Sequence, residues 1–261
     1  FVTILDKFKS KDSDSILDGI PYSLKDNFST SNILTTASSN ILKDYIPVYD
    51  ATVYKKLKKA GATLIGKTTL DELAMGGTGT TAATGIVRNP YDKERLIGGS
   101  SAGAASSVAL GITPFAIGSD TGDSVRKPAA YNGIVGFKPT WGRISRYGLF
   151  PFAPSLDHVA YFTRTVKDSA LLLDVLAGYD CKDATSSLKE KDQYLASTNG
   201  DVKGKRVAVI EEILSTITDT DVLDAFNKSI EDLENIYLLN IIINAVYVDG
   251  VLKTYLQIKY H

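Results

Sequence analysis

Only one cysteine, Cys181, and two histidines, His158 and His261, occur in the 261 residues. One thiol cannot form an internal disulfide, and no Cys-x-x-Cys zinc pattern exists. A metal site would have to be built mostly from carboxylates, so no catalytic metal is expected. The thiol count fits a reducing, cytosol-like compartment, or a mitochondrion or plastid if the source is eukaryotic. No run approaches the roughly 18–20 apolar residues of a membrane span. The longest candidate, 236–246, is broken by Asn240 and Asn244. The opening FVTILDKFKSKDSDS lacks the basic, apolar and small-residue zones of a signal peptide. It also lacks a Met, as expected of a piece of a longer chain. Excess charge is missing too: 29 Lys+Arg against 30 Asp+Glu leave a net −1. That balance excludes a broad electrostatic footprint for nucleic acid or an anionic membrane, though not a local patch.

What is present is ordinary globular composition, 44% hydrophobic and 23% charged. Helical and strand patterns alternate. Residues 53–60 read as a helix with Lys55, Lys56, Lys58 and Lys59 on its wet side, ended by Gly61. Strands are expected at 62–65, 114–117, 133–137 and 205–210. Residues 102–110 form a small-residue helix, and 219–235 an amphipathic one. The clearest helix is 165–177: Thr165 caps it with Asp168 three residues on, Leu171, Leu172, Val175 and Leu176 face inward, and Gly178 ends it. The alternation predicts α/β layers around a largely buried sheet in a single domain. Residues 182–204 are polar and read as a connection.

The run Gly61 to Thr68, GATLIGKT, fits the phosphate-loop pattern GxxxxGK[ST]. That loop needs a preceding strand and a helix beginning at the lysine. Here a helix precedes it, and Ala-Thr-Leu-Ile favours a strand. The expected arrangement is turn, strand and an exposed Lys67, not a nucleotide site.

The informative region runs from Gly98 to Thr140. GGSSAGAASS begins at Gly98, GSDTGDSVRKP at Gly118, and GFKPT at Gly136. Serines sit in glycine-rich turns, one directly before a helix. Glycine permits close backbone approach and positive φ. Successive N–H groups in such turns make anion-binding nests. A serine there can attack a carbonyl while N–H groups hold the oxyanion, given a base. Inside the chain only His158 offers an imidazole, and a neutral lysine is the recognised substitute. Taken singly, Ser100 or Ser124 reads as a turn or capping residue.

These runs, with GIPYSLKDN at Gly19–Asn27, resemble the amidase signature family. The resemblance implies an α/β fold with a mixed β-sheet core flanked by helices on both faces. It implies a Ser–cis-Ser–Lys triad in which Ser124 is the nucleophile, Ser100 the serine after a cis peptide and Lys25 the base. The separations, 24 residues between the serines and 75 from Lys25 to Ser100, also fit. It implies an oxyanion hole of backbone N–H groups at Thr121, Gly122, Asp123 and Ser124, and a substrate-pocket lining that includes Met75 and Gly76.

TTLDELAMG (68–76), RNPYDKER (88–95), GRISRYGLFPFAPSLDH (142–158) and AGYDCKDATSS (177–187) are similar to members that hydrolyse glutamine within tRNA-dependent amidotransferases. That likeness implies ammonia release from glutamine for conversion of Glu-tRNA(Gln) to Gln-tRNA(Gln), with B and C subunits as partners. ATP, Mg²⁺ and tRNA are then expected mainly on the B subunit, with no cofactor on this chain. The resemblance is close over 17–187 and looser to about 234; residues 235–261 diverge.

Three departures stand out. Asp123 occupies a position that is usually glycine, placing a carboxylate beside the oxyanion loop unless it pairs with Arg126 or Lys127. Ala102 replaces another glycine. The chain also ends before the family's glutamine-recognising part. Two further readings stay open: a stand-alone amidase of the same family, and a catalytically impaired fragment that binds the partner. His158 reads as structural, Cys181 as incidental in a polar loop, and Trp141 as a packing residue.

Overall fold

The computed structural model describes residues 1–6, 15–198, 209–237, 246–248 and 251–253. They fall into two units, Phe1–Thr198 and Asn199–His261, divided within the polar stretch 182–204.

The first unit contains β1 (Thr3–Ile4), β2 (Pro21–Lys25), α1 (Thr52–Lys59), β3 (Thr63–Thr68), α2 (Ala102–Ala109), β4 (Phe115–Asp120), α3 (Arg126–Tyr131), β5 (Val135–Phe137), β6 (His158–Thr163), α4 (Val166–Leu176) and α5 (Tyr194–Ser197). Its six strands form one mixed sheet in the order β1-β3-β2-β4-β6-β5. β2 runs parallel to both β3 and β4; β1, β6 and β5 pair antiparallel with their neighbours.

The chain moves one way across the sheet from β2 to β3, then back past β2 to β4. Right-handed crossovers in opposite directions place their helices on opposite faces. Accordingly α1 packs on one face and α2 on the other. Side chains alternate along a strand. Tyr22, Leu24, Leu64, Phe115, Ile117, Val159 and Tyr161 therefore join Val53 and Leu57 of α1 and Leu172, Leu173 and Leu176 of α4. Ala116, Ala160 and Phe162 turn the other way, onto Ala104, Ala105 and Val108 of α2 and Ala129 of α3. The alanines let that second layer approach closely. Ligand crevices in such sheets form beyond the carboxyl ends of strands where the winding reverses. Here that place lies between β2 and β4.

Local signals explain the elements. Thr165 caps α4, its side chain accepting from the Asp168 amide at 3.1 Å while its hydroxyl donates to the Asp168 carboxylate at 2.8 Å. Leu173 joins Leu172 and Leu176 in the fully buried stripe, and Leu171 and Val175 pack partly buried against the same core. Lys56 departs from its expected solvated place: its ammonium donates to Leu176 O at 2.7 Å and Ala177 O at 3.0 Å, meeting the negative end of α4.

Lys67 requires a larger correction. The expected strand 62–65 extends to Thr68, and no helix begins at the lysine. β3 lies between β1 and β2, so Lys67 is buried, not exposed. Its ammonium sits 3.2 Å from Asp26 Oδ1 and donates to Phe28 O, Thr30 Oγ1 and Thr35 Oγ1 at 2.9, 3.0 and 2.8 Å. The Asp26 carboxylate also accepts from the Thr36 amide and hydroxyl at 2.8 and 2.6 Å. Burial lowers the Lys67 pKa to about 8 against the pull of Asp26. The pair pins the chain leaving β2.

The second unit holds α6 (Glu211–Leu214), α7 (Thr220–Tyr237) and the antiparallel pair β7 (Val246–Val248) and β8 (Val251–Lys253). Asp219 accepts from the Val222 amide at 3.1 Å at the start of α7, near the expected boundary. The strand expected at 205–210 lies outside the described residues except for Val209 and Ile210.

Breaking a buried ion pair leaves an uncompensated charge. Lys67→Met is therefore expected to lower unfolding free energy by about 3–5 kcal/mol. Adding Asp26→Asn should recover a substantial part. Urea melts of the single and double variants measure both; equal losses would contradict the pairing.

Candidate active site

Lys25 is the last residue of β2, Ser119 and Asp120 end the neighbouring β4, and Ser100 and Ser101 immediately precede α2. The sheet thus delivers the lysine and two backbone turns to one point. Ser23, two residues before Lys25 on the same side of β2, bonds Ser107 of α2 at 2.8 Å and holds strand and helix in register.

Lys25 is fully buried among hydroxyls. Its Nζ lies 2.7 Å from Ser100 Oγ, 2.9 Å from Ser101 Oγ, 2.9 Å from Ser119 Oγ and 3.4 Å from Ser119 O. Burial lowers its pKa to about 7, outweighing the opposing pull of Asp120, Asp71 and Asp157. Near neutral pH a large fraction is therefore the free amine.

The neighbours assign that amine's direction. Ser101 O–H donates to Ser119 O at 3.0 Å, so towards Lys25 it can only accept. Ser119 Oγ is held by Asn27 Nδ2 at 3.0 Å. A neutral amine has two N–H groups and one lone pair. With the N–H groups on Ser101 and Ser119, the lone pair faces Ser100 Oγ, where it can accept that hydroxyl's proton.

The peptide between Gly99 and Ser100 is cis. Ser100 O accepts from the Asp71 amide at 3.1 Å. Gly99 has no room for a side chain, since a Cβ there would fall 2.0 Å from Asp71 Oδ2. The Asp71 carboxylate is itself occupied by the amides of Thr78, Gly79, Thr80 and Thr81, at 2.9–3.1 Å. One buried carboxylate thus folds the 76–81 loop against the serine turn.

Ser124 lies beside this group. Its carbonyl accepts from the Ser101 amide at 3.1 Å, and among the described residues its Oγ has no hydrogen-bond partner. Asp120 shapes the turn that carries it, accepting from the amides of Val125 and Arg126 at 2.9 and 3.2 Å and pairing with the Arg126 guanidinium at 2.9 Å. Burial would raise the Asp120 pKa, but the arginine and the two amides outweigh it and leave it below the ordinary value. Arg126 also binds Gly122 O, and the Lys127 amide donates to Asp123 O at 2.9 Å. In a planar trans peptide the C=O and the following N–H point opposite ways. Tying down these two carbonyls aims the Asp123 and Ser124 N–H groups to the other side. Among the described residues neither has a backbone acceptor. Thr121 is fixed by its hydroxyl, which donates to Asp157 Oδ1 at 2.6 Å. Asp157 in turn receives the amides of Phe152 and Ala153 at 3.0 Å.

Asp123 pairs with Lys127 at 2.7 Å, not with Arg126, which Asp120 holds. Met75 is exposed, and Gly76 lies against the Asp71 side chain, where a Cβ would fall 2.6 Å from the Asp71 Cβ. His158 is half-buried at the start of β6, its Nδ1 2.6 Å from Leu156 O and its Nε2 3.3 Å from Lys138 Nζ. Cys181 is exposed, and Trp141, rather than being packed away, is partly exposed under the Arg146 guanidinium. Sequence reasoning missed Ser101, Ser119, Asn27 and the carboxylates Asp71, Asp120 and Asp157. Ser101, Ser119, Asn27 and Asp120 all stand inside the quoted glycine–serine and lysine motifs.

Known proteins resemble this chain over most of its length. The chain is 52% identical over 220 residues to the A subunit of a glutamyl-tRNA(Gln) amidotransferase from Carboxydothermus hydrogenoformans, covering 84% of this chain and 45% of that protein. The solved A subunit of the Thermotoga maritima glutamyl-tRNA(Gln) amidotransferase superposes with a TM-score of 0.88 at 41% identity, over 93% of this chain and 53% of that one. An amidase family protein from Bacillus anthracis superposes with a TM-score of 0.81 at 33% identity, over 91% of this chain and 49% of that one. The chain spans about half the length of the curated relatives it matches. The sequence model of the Amidase family matches residues 3–259, and the chain belongs to that family.

Proposed function

We propose that this chain is the amide-hydrolysing half of a glutaminase subunit in a tRNA-dependent amidotransferase. The observation that carries the chemistry is the 2.7 Å contact between a buried lysine of pKa about 7 and Ser100 Oγ, with Ser124 beside them. The likeness to the two amidotransferase A subunits supports glutamine over simple amides. On this reading Lys25 takes the Ser100 proton as Ser100 takes that of Ser124, and Ser124 Oγ attacks the carboxamide carbon. The Asp123 and Ser124 N–H groups, with those of Thr121 and Gly122, hold the oxyanion, an effect worth about 3–4 kcal/mol per donor. Collapse returns the proton through Ser100 to the leaving nitrogen, and ammonia departs. Water then hydrolyses the Ser124 ester to glutamate. B and C subunits would complete the enzyme, with ATP, Mg²⁺ and tRNA held mainly on B.

A serine-directed fluorophosphonate, mapped by mass spectrometry, tests the triad. Labelling is expected at Ser124 and is expected to fall by about a thousandfold or more in Lys25→Ala, as for removal of a base from a nucleophile pair. An unlabelled, folded chain would favour the partner-binding fragment. Ammonia release from glutamine that rises on adding a B-type subunit, and exceeds release from simple amides, separates the amidotransferase reading from a stand-alone amidase.

The lowered lysine pKa also fixes a pH profile. The reactive form is neutral, so the labelling rate should rise with pH, reach half its maximum near pH 7 and level off above about 8. A rate still climbing in parallel with free lysine, towards its ordinary value of about 10.4, would contradict the buried-amine assignment.

A further inference from the structure

We infer that Lys127 is a positioning residue that cancels the charge of Asp123 at the oxyanion loop, so that the two form one functional unit. The inference rests on the reading of Ser124 as nucleophile. Asp123 supplies two opposed things within one residue: an N–H with no backbone acceptor among the described residues, and a carboxylate a few bonds away. Negative charge gathering at that N–H during attack would be opposed by the carboxylate. Both side chains are partly exposed, 45% for Asp123 and 31% for Lys127, so water alone does not fully screen the field.

Lys127 grips Asp123 twice. Its backbone amide donates to Asp123 O at 2.9 Å, which turns the peptide so that the Ser124 N–H faces away from α3. Its ammonium meets Asp123 Oδ2 at 2.7 Å. The first contact survives any substitution of the side chain; only the second is lost. The ammonium is also fitted in place. It lies over Gly77, where a Cβ would stand 2.7 Å from Nζ. Gly77 directly precedes Thr78, whose amide is bound by Asp71. The pair therefore spans from the nucleophile turn to the loop that backs Gly99. Among the described residues no other cation forms an ion pair with Asp123: Arg126 feels its charge, but the guanidinium Nε and Nη2 are bound to Asp120.

An isolated surface pair of this kind adds little to stability. Its consequence is local: it converts a lone carboxylate beside the oxyanion site into a neutral ion pair. The pair thus lets this loop carry an aspartate beside its oxyanion N–H groups.

The test measures second-order fluorophosphonate labelling of Ser124 in the chain as it stands and in Lys127→Met, Lys127→Arg, Asp123→Asn and Lys127→Met/Asp123→Asn. Lys127→Met is expected to label roughly five- to tenfold more slowly, the effect of one uncancelled charge across several ångströms of half-exposed protein. The defect should shrink as salt is raised from about 0.05 to 0.5 M, since exposed charges are screened. Lys127→Arg should retain most of the rate, and adding Asp123→Asn to Lys127→Met should restore it to within about twofold. A structural role for Lys127 would give a defect insensitive to salt and not rescued by Asp123→Asn, and that result overturns the inference. So does labelling that Lys127→Met leaves unchanged, with the triad reading intact. Absence of labelling in the parent chain overturns the triad reading and this inference with it.

Discussion

An ammonium group cannot be taken out of water cheaply, and Lys25 is wholly out of water. The site answers that constraint with hydroxyl oxygens and a carbonyl, not with a touching carboxylate. Asp120, Asp71 and Asp157 pull on the lysine from a distance, yet burial outweighs them and the proton is weakly held. Lys67, one strand away, shows the contrast. It is buried too, but Asp26 lies 3.2 Å from it and its pKa falls only to about 8. The two buried lysines thus differ in whether a carboxylate stands among their direct partners: one does for Lys67, and only hydroxyls and a carbonyl do for Lys25.

The carboxylates around the lysine are spent on backbone. Asp26 binds the Thr36 amide, Asp71 four successive amides, Asp120 those of Val125 and Arg126, and Asp157 those of Phe152 and Ala153. The segments they bind are mostly turns and bends, without the hydrogen-bond ladder of a helix or strand. A buried acceptor supplies the missing order, because an unpaired amide or an unpaired carboxylate would cost more than the contact. The result is a set of irregular turns with the definition of secondary structure, assembled at the carboxyl ends of β2 and β4.

Much of this is legible in the sequence. The caps and breaks at Gly61, Thr165 and Gly178 bound helices because capping and positive φ are local physics. The motifs around Lys25, Ser100 and Ser124 point to one cluster, and Lys25 and Ser100 do meet. Lys67 reads wrongly as exposed because a lysine's ordinary preference is for solvent, and nothing local reveals that its strand is sandwiched between two others. Lys56 misleads for the same reason: its partner carbonyls lie about 120 residues further on. Asp71 and Asp157 stand inside the quoted stretches 68–76 and 142–158, yet their role stays hidden, since a carboxylate that collects amides looks in sequence like any surface acid.

The sequence by itself determined the periods of α1, α2, α4 and α7 and of β3, β4 and β5, the glycine-rich turns and the residue types at hand in them. It also determined that Asp123 had two cationic candidates within reach, Arg126 and Lys127. Tertiary structure decided between them, because Asp120 had already claimed the guanidinium. It decided as well which buried lysine meets a carboxylate, Lys67, and which is surrounded by hydroxyls, Lys25. Protonation and pairing depend on distance and dielectric, and those exist only once residues far apart in the chain have been buried together.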